Sequence, residues 1–428
     1  MNLFFTVSFI PLGVIFIEQH LPLRDFWIEF SVAIGFLACS FIFIQFLITA
    51  RVQSISEEHG IDVTLNKHKL LGYIIFTLIV AHPLILFIHN PSLIVLLWPS
   101  NMPLRTLYGI LSLLSLAFIM VLSIFRKKLK ISYKVWRISH ILLSIAVLFF
   151  TGLHIHEVHH YMGVLWKEIV WLLFAISLVG ILVYVRIIKP ILMLHRPWSI
   201  IDIFYQGANC WTIKLLPLNH KGFTYKAGQF AWIKLNKSPF LISDHPFSFS
   251  SSPTEGPILQ FTIKAVGDFT KKIQSLPLNS LAYVDGPYGS FTLNETNTSG
   301  KIFLIAGGVG ITPMVSLLKF LSDKKTLSSV TLIYAAKDDQ QIIFLDELER
   351  ISKTIKLQIV YILEEPSNKI AFQKGLISKE LIQQYLNQKD NTVFYVCGPP
   401  KMNKAVIQIL KSLKIKDKNI CFENFDLV

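Results

Sequence analysis

Long apolar runs dominate the first part of the chain, whereas the second part alternates short apolar runs with Gly, Pro and charged punctuation. Crossing a bilayer takes about 20 mostly apolar residues. Six stretches qualify, at roughly 2–18, 25–49, 68–89, 104–125, 135–156 and 164–188. The first is short and carries Pro11, and no basic segment leads it, so an uncleaved span is expected rather than a removable signal peptide. The pattern changes beyond Lys189. Alternating apolar residues in Ile200–Phe204 and Cys210–Leu215, followed by KAGQFAWIKL and DHPFSFSSSP, predict short antiparallel strands forming a small barrel. Further on, KIFLIAGGVGITPMVSLLKFL reads as strand, glycine turn and helix, with Thr312 as the N-cap and Pro313 at the first helical position. The apolar runs SVTLIYAA, KLQIVYIL and NTVFYVCGPP, with helical segments between them, predict a parallel sheet whose ligand lies at the strand C-termini.

Composition agrees with a membrane protein: 33 Phe in 428 residues, only 16% charged residues and a mean hydropathy of +0.52. The remaining soluble region of about 230 residues has room for two domains, so boundaries are expected at 1–190, 195–297 and 298–428. Basic residues collect between the fourth and fifth spans, at Arg126, Lys127, Lys128, Lys130, Lys134 and Arg137, with no acid among them. That connection is expected on the cytoplasmic side. Ile155–Trp166 has no Lys or Arg and suits the opposite face. The reading is a multi-pass protein of the inner (plasma) membrane with its soluble domains in the cytoplasm. The net charge of +14 is thus partly a topology signal, and no basic cluster with interleaved aromatics points to nucleic acid. The four cysteines, 39, 210, 397 and 421, have no iron–sulfur spacing, and no calcium-binding loop is present.

Two histidine pairs carry the clearest chemistry. His68 and His82 share one span and His140 and His154 another, fourteen residues apart in each. Fourteen residues advance a helix by about 21 Å and return the side chain to within roughly 40° of the same face. Imidazoles are costly in hydrocarbon. Two parallel helices that each present two at matching depths suit two six-coordinate haems, His68 with His140 on the inner side and His82 with His154 on the outer. Interfacial or hydrogen-bonded histidines are the alternative. His156, Glu157 and His160 spell the H-E-x-x-H zinc pattern, but at the end of a span, and with His89 and His159 they make either an outward metal-landing patch or solvated loop histidines. In the soluble half, Gly267, Gly286 and Gly289 allow close approach of a bound group, and Lys264 and the Thr270 hydroxyl suit a pyrophosphate. The glycine turn before a helix start suits a dinucleotide.

The ordered set His-Pro-Phe-Ser (245–248), Ile-Lys-x-x-Gly-Asp-Phe-Thr (263–270), Asp-Gly-Pro-Tyr-Gly (285–289), Gly-Gly-x-Gly-Ile-Thr-Pro (307–313), Cys-Gly-Pro (397–399) and Phe-Glu-Asn-Phe (422–425), together with the four membrane histidines, resembles the ferric reductase and NADPH oxidase superfamily over nearly the whole chain. The resemblance implies a multi-domain protein: a six-helix transmembrane bundle, an antiparallel β-barrel FAD domain like that of ferredoxin-NADP reductase, and an α/β parallel-sheet nucleotide-binding domain. It implies that His245, Pro246, Phe247 and Ser248 meet the isoalloxazine, with Ser248 at N5, and that Lys264, Gly267 and Thr270 hold the FAD phosphates. Gly307, Gly308, Gly310, Thr312 and Pro313 would bind the nicotinamide dinucleotide, with Cys397, Gly398 and Pro399 near the nicotinamide and Lys337 near a 2′-phosphate. Phe425 would cover the flavin, although Asp426, Leu427 and Val428 follow it here. The implied cofactors are FAD, two haems b and NADPH, with NADH as a second donor. The implied activity moves electrons from the nucleotide through FAD and both haems to an acceptor on the outer face. Oxygen, giving superoxide, is the first expectation. A ferric chelate, a periplasmic electron-accepting protein and a haem-binding sensor without turnover are the alternatives, and membrane lipid is the surrounding partner.

Overall fold

The computed structural model describes residues 9–10, 13–14, 17, 24–51, 61–161, 163–235, 238–242, 244–293, 300–365, 371–386 and 392–423. The chain divides between Lys189 and Pro190 into two compact units.

Among the described residues, five helices of the first unit are long and apolar enough to cross a membrane. They are α1 (Phe26–Thr49), α2 (Ile61–His89), α3 (Leu104–Phe125), α4 (Tyr133–Val158) and α5 (Leu165–Val183), the last continued by a π-helical turn (Tyr184–Ile188) and α6 (Lys189–Leu194). The expected span at 2–18 lies mostly outside the described residues. Helix α2 starts earlier than its apolar run, because a helix satisfies its own backbone groups beyond the hydrocarbon as well as within it. Local signals set other ends: Asp25 accepts from the Trp27 N–H at the start of α1, and Ser132 accepts from the Val135 N–H at the start of α4. Ile42, Ile75, Leu116, Ile119 and Val147, drawn from α1 to α4, form the buried seam of the bundle. Leu142, Phe149, Leu172 and Leu173 remain exposed, as side chains facing lipid do.

The second unit opens with six antiparallel strands: β1 (Trp198–Gly207), β2 (Cys210–Pro217), β3 (Phe230–Lys234), β4 (His245–Ser248), β5 (Leu259–Lys264) and β6 (Leu281–Tyr288). Their order is β4-β3-β6-β1-β2-β5, and an isolated bridge between Phe249 and Phe261 brings the two ends of the sheet together. The β1–β2 hairpin turns through Ala208 and Asn209, both at positive φ (52° and 57°), which matches the strand twist at the cost of placing an alanine in the left-handed region. A buried row of hydroxyls, Thr212 to Thr262 (2.7 Å) and Thr262 to Ser250 (3.1 Å), pairs polar groups inside the sheet.

A wholly parallel sheet follows, built from β7 (Lys301–Gly307), β8 (Val330–Ala336), β9 (Leu357–Leu363), β10 (Phe372–Lys374), β11 (Thr392–Cys397) and β12 (Ile420–Glu423). The order is β10-β9-β8-β7-β11-β12, so the chain runs outward from β7 in one direction and then returns to its other side at β11. Helices α7 (Ile311–Asp323), α8 (Leu345–Ser352), α9 (Lys379–Tyr385) and α10 (Pro400–Ser412) connect the strands. Both faces of the sheet are covered by apolar clusters, which is why β7 and β11 read as continuous apolar runs. Ser316, fully buried on α7, donates to the Ser251 carbonyl (2.7 Å) and accepts from the Gly228 N–H (3.3 Å), tying this domain to the antiparallel one.

Ser316→Ala leaves the Gly228 N–H and the Ser251 carbonyl without that partner, a loss of about 1–3 kcal/mol. The soluble unit is expected to melt a few degrees lower, by calorimetry of the detergent-solubilised chain.

Candidate functional site

In the membrane unit the histidines meet as two pairs. The rings of His68 and His140 stand 6.1 Å apart between centroids, and those of His82 and His154 stand 6.3 Å apart. Two imidazoles on opposite sides of one metal, with metal–nitrogen bonds of about 2 Å, place their ring centres roughly 6.4 Å apart. Both pairs therefore fit one iron between them. The Nδ1 atoms of His68 and His140 are buried with no hydrogen-bond partner. His82 Nδ1 donates to the Ser31 carbonyl at 2.8 Å and His154 Nδ1 to the Arg105 carbonyl at 2.7 Å, which leaves Nε2 of each as the free ligand atom. Glycines on neighbouring helices make room: a Cβ on Gly35 would sit 3.4 Å from His82 Nδ1, and one on Gly109 would sit 3.1 Å from His154 Nδ1.

The histidine-rich end of α4 is arranged differently from a zinc site. The helix ends at Val158, and His159 turns out at φ +50°, so His156 and His160 do not share a helical face. Among the described residues no three His, Cys, Asp or Glu side chains form a metal cluster. Tyr161 instead donates to Glu29 (3.0 Å), and His89 stacks on Trp27 (4.2 Å).

Strand β4 places the His-Pro-Phe-Ser run beside β3. His245 and Phe247, two apart, lie on one side, and Phe269 stacks parallel to both at 4.0 and 6.2 Å. Pro246 pairs with Trp232 across the strands. Ser248 Oγ is buried with no hydrogen-bond partner, which suits a site completed by a bound polar atom such as a flavin nitrogen. Lys264 ends β5, and the loop after it holds Gly267 and Thr270. The Thr270 hydroxyl accepts from Val266 N–H (3.0 Å) and Gly267 N–H (2.9 Å), so it shapes this loop itself.

At the glycine turn the structure corrects the expected helix start. A 3-10 turn (Gly308–Gly310) leads into α7, Gly310 is the N-cap, and Thr312 lies in the first turn bonding back to the Val309 carbonyl (2.9 Å). Pro313 is therefore the third helical residue, where its missing N–H still costs nothing. Gly308, at φ +54°, has no atom within 4 Å of where a Cβ would stand. Gly307 and Gly310 have no such room: their Cβ positions would strike Met402, Pro399 and the Cys397 carbonyl. The turn thus packs on one side against the ends of β11 and α10 and is open on the other, at the switch in strand order.

Three residues outside the expected set stand out, Tyr334 and Glu423 here and Phe269 beside His245 and Phe247. Tyr334, fully buried on β8, donates to the Gly308 carbonyl (3.2 Å) and accepts from Ile343 N–H (3.2 Å). Glu423, also buried, sits beside Cys397 on β12, its carbonyl accepts from Asn403, and its carboxylate lies 3.5 Å from the Cβ position of Gly289. Burial and the neighbouring Glu423 raise the Cys397 thiol well above its usual range, so it stays protonated at neutral pH. Lys337, just past β8, pairs with Glu365 at 3.1 Å. Phe425 lies outside the described residues.

Residues 34–151 match the family model of the ferric reductase like transmembrane component, 197–292 match an FAD-binding domain, and 304–408 match the oxidoreductase NAD-binding domain. The chain is 30% identical over 202 residues to sulfhydrogenase 2 subunit gamma of Pyrococcus furiosus, covering 44% of this chain and 68% of that one. It is 26% identical over 176 residues to cytochrome b5 reductase 4 of Danio rerio, covering 40% of this chain and 33% of that one. Among further relatives, the propane 2-monooxygenase reductase component of Mycolicibacterium goodii is 25% identical, and the chain spans 63% of its length. The FAD/NAD-binding domain of nitric oxide dioxygenase from Vibrio cholerae has a TM-score of 0.48 at 21% identity, over 53% of this chain and 97% of that one.

Tyr334→Phe removes the hydroxyl partner of the Gly308 carbonyl at the glycine turn and of the Ile343 N–H. The KM for the nicotinamide dinucleotide is expected to rise roughly 5- to 10-fold, the equivalent of about 1–1.4 kcal/mol. FAD content, read from absorbance, is expected to stay unchanged.

Proposed function

Because the chain belongs to the ferric reductase and NADPH oxidase superfamily, we propose that it is a transmembrane oxidoreductase carrying electrons from a cytoplasmic NAD(P)H, by way of FAD and two haems, to an acceptor on the outer face. The observation that carries this reading is the pairing of His68 with His140 and His82 with His154 at ring separations that each suit one iron. When bound, FAD supplies the conversion of a hydride into single electrons and haem iron supplies one-electron transfer. The division of labour along the chain follows 1–190 for the haem-holding bundle, 195–297 for flavin and 298–428 for nucleotide.

The residues then have distinct tasks. His68 with His140 and His82 with His154 would each hold one haem, which would supply one-electron transfer at that level and leave the iron no open ligand position for an acceptor. His245, Pro246 and Phe247 would line the flavin ring, and the buried Ser248 hydroxyl, which has no partner within the protein, would be available to hydrogen-bond its reactive nitrogen. Lys264 would offer its charge to the FAD phosphates, beside the Gly267–Thr270 loop that the Thr270 hydroxyl shapes. Gly307, Gly308 and Gly310 present the start of α7 to the dinucleotide, with Thr312 and Pro313 fixing that first turn. Cys397, Gly398 and Pro399 lie at the strand end where the nicotinamide would rest, and the buried thiol there excludes water. Phe425 remains the expected flavin cover. NADPH is the expected donor, with NADH also used, because Lys337 is the basic residue past β8 but is shared with Glu365.

Oxygen is the proposed acceptor, giving superoxide. The apolar exposed helices and the basic connection between α3 and α4 support a plasma-membrane protein with its soluble half on the cytoplasmic side. The test is nucleotide oxidation by the purified, FAD-supplemented chain. Cytochrome c reduction sensitive to superoxide dismutase supports the oxidase, whereas loss of that signal with rapid anaerobic reduction of a ferric chelate replaces oxygen by ferric iron. Flavin and haem at full content without nucleotide consumption would leave a sensor.

His68→Leu and His154→Leu are each expected to abolish acceptor reduction while NADPH still bleaches the flavin, with haem content falling from two towards one by pyridine haemochrome. Glu365→Gln releases Lys337 and is expected to lower the KM for NADPH a few-fold while leaving that for NADH unchanged.

A further inference from the structure

The two histidine levels are built differently around their rings. At the His82–His154 level both Nδ1 atoms reach backbone carbonyls, those of Ser31 (2.8 Å) and Arg105 (2.7 Å). Ser31 adds a second acceptor, its Oγ at 2.9 Å from the same Nδ1, and its hydroxyl donates to the His82 carbonyl at 2.7 Å. Ser31 is fully buried, so water does not compete for these bonds. At the His68–His140 level neither Nδ1 has a partner. The polar neighbours there address the backbone instead: Gln45 donates to the His68 carbonyl (3.0 Å) and Ser144 to the His140 carbonyl (2.7 Å).

An imidazole that donates its Nδ1 proton to a carbonyl is fixed in the tautomer that offers Nε2 to a metal, and it becomes a stronger electron donor. A stronger donor stabilises ferric over ferrous iron and so lowers the reduction potential. We propose that Ser31 is a positioning residue for His82, and that the carbonyl-bound level, His82 with His154, holds the haem of lower potential. This rests on the two-haem reading above. It gives that level the greater driving force for reducing an acceptor and leaves the other level as the resting place of the electron.

The test is an anaerobic redox titration of the full chain, followed in the haem absorbance bands. Two components are expected, separated by at least tenfold in their reduction equilibria, which is about 59 mV for one electron. In His68→Leu the surviving component is the lower one, and in His82→Leu it is the higher one. Ser31→Ala removes one of the two acceptors on Ser31 and keeps its carbonyl. It is expected to raise the low component alone, with haem content unchanged, and Ser31→Thr, which keeps a hydroxyl, is expected to restore the wild-type value. A higher-potential survivor in His68→Leu, or no shift of either component in Ser31→Ala at full haem content, overturns the proposal. If Ser31→Ala loses haem, the two histidine variants decide. A wild-type chain that takes up no haem would instead remove the two-haem reading on which the proposal depends.

Discussion

Placing four imidazoles inside an apolar bundle is the constraint that organises the membrane unit. Each ring must be desolvated, oriented and given something to bind, and the helices are arranged around that need. Helices α2 and α4 carry the pairs at matching heights. Helices α1 and α3 supply the surroundings, with Gly35 and Gly109 close against the His82 and His154 rings and the Ser31 and Arg105 carbonyls accepting hydrogen bonds from their Nδ1–H groups. The apolar seam of Ile42, Ile75, Leu116, Ile119 and Val147 joins the four helices that share this task. Most of the stabilisation in such a bundle comes from close packing, so the small residues that admit the rings are part of the fold as well as of the site.

The soluble unit is governed by a different requirement, that of leaving backbone bare at the glycine turn. Gly308 is open on one side because Gly307 and Gly310 are closed on the other, pressed against Pro399, Met402 and the Cys397 carbonyl. The fully buried Tyr334 then pins the turn from below through the Gly308 carbonyl. The reversal of strand order between β7 and β11 creates the space. Ser316 links that turn's helix to the antiparallel sheet, so the flavin and nucleotide regions share a buried contact within one compact unit.

Much of this was legible in the residues. The fourteen-residue spacing announced that His68 and His82 share a helix face, and the pairings follow once the helices are parallel. The alternating strands and the glycine turn were readable from period and punctuation. The helix start at the glycine turn was misplaced because Thr312 and Pro313 look like a capping pair, whereas the glycine run already winds into a 3-10 turn and starts the helix two residues early. Tyr334 was missed for a related reason: it lies in an ordinary-looking strand, and only burial beside the turn gives it a role, whereas Glu423 stood within the quoted Phe-Glu-Asn-Phe run and only its burial beside Cys397 singles it out. Phe269 was quoted as part of a motif, but its stacking on His245 depends on how the loop after β5 folds back.

The sequence by itself determined the division into apolar and soluble halves, the type of each element and the residue classes available for chemistry, because hydropathy, period and turn residues act locally. Only the tertiary structure decided which acceptor each histidine Nδ1 meets, which face of the glycine turn is open and which thiol lies beside a buried carboxylate. Those outcomes depend on backbone carbonyls, on absent Cβ atoms and on burial, and each arises where residues distant in the chain come within a few ångströms of one another.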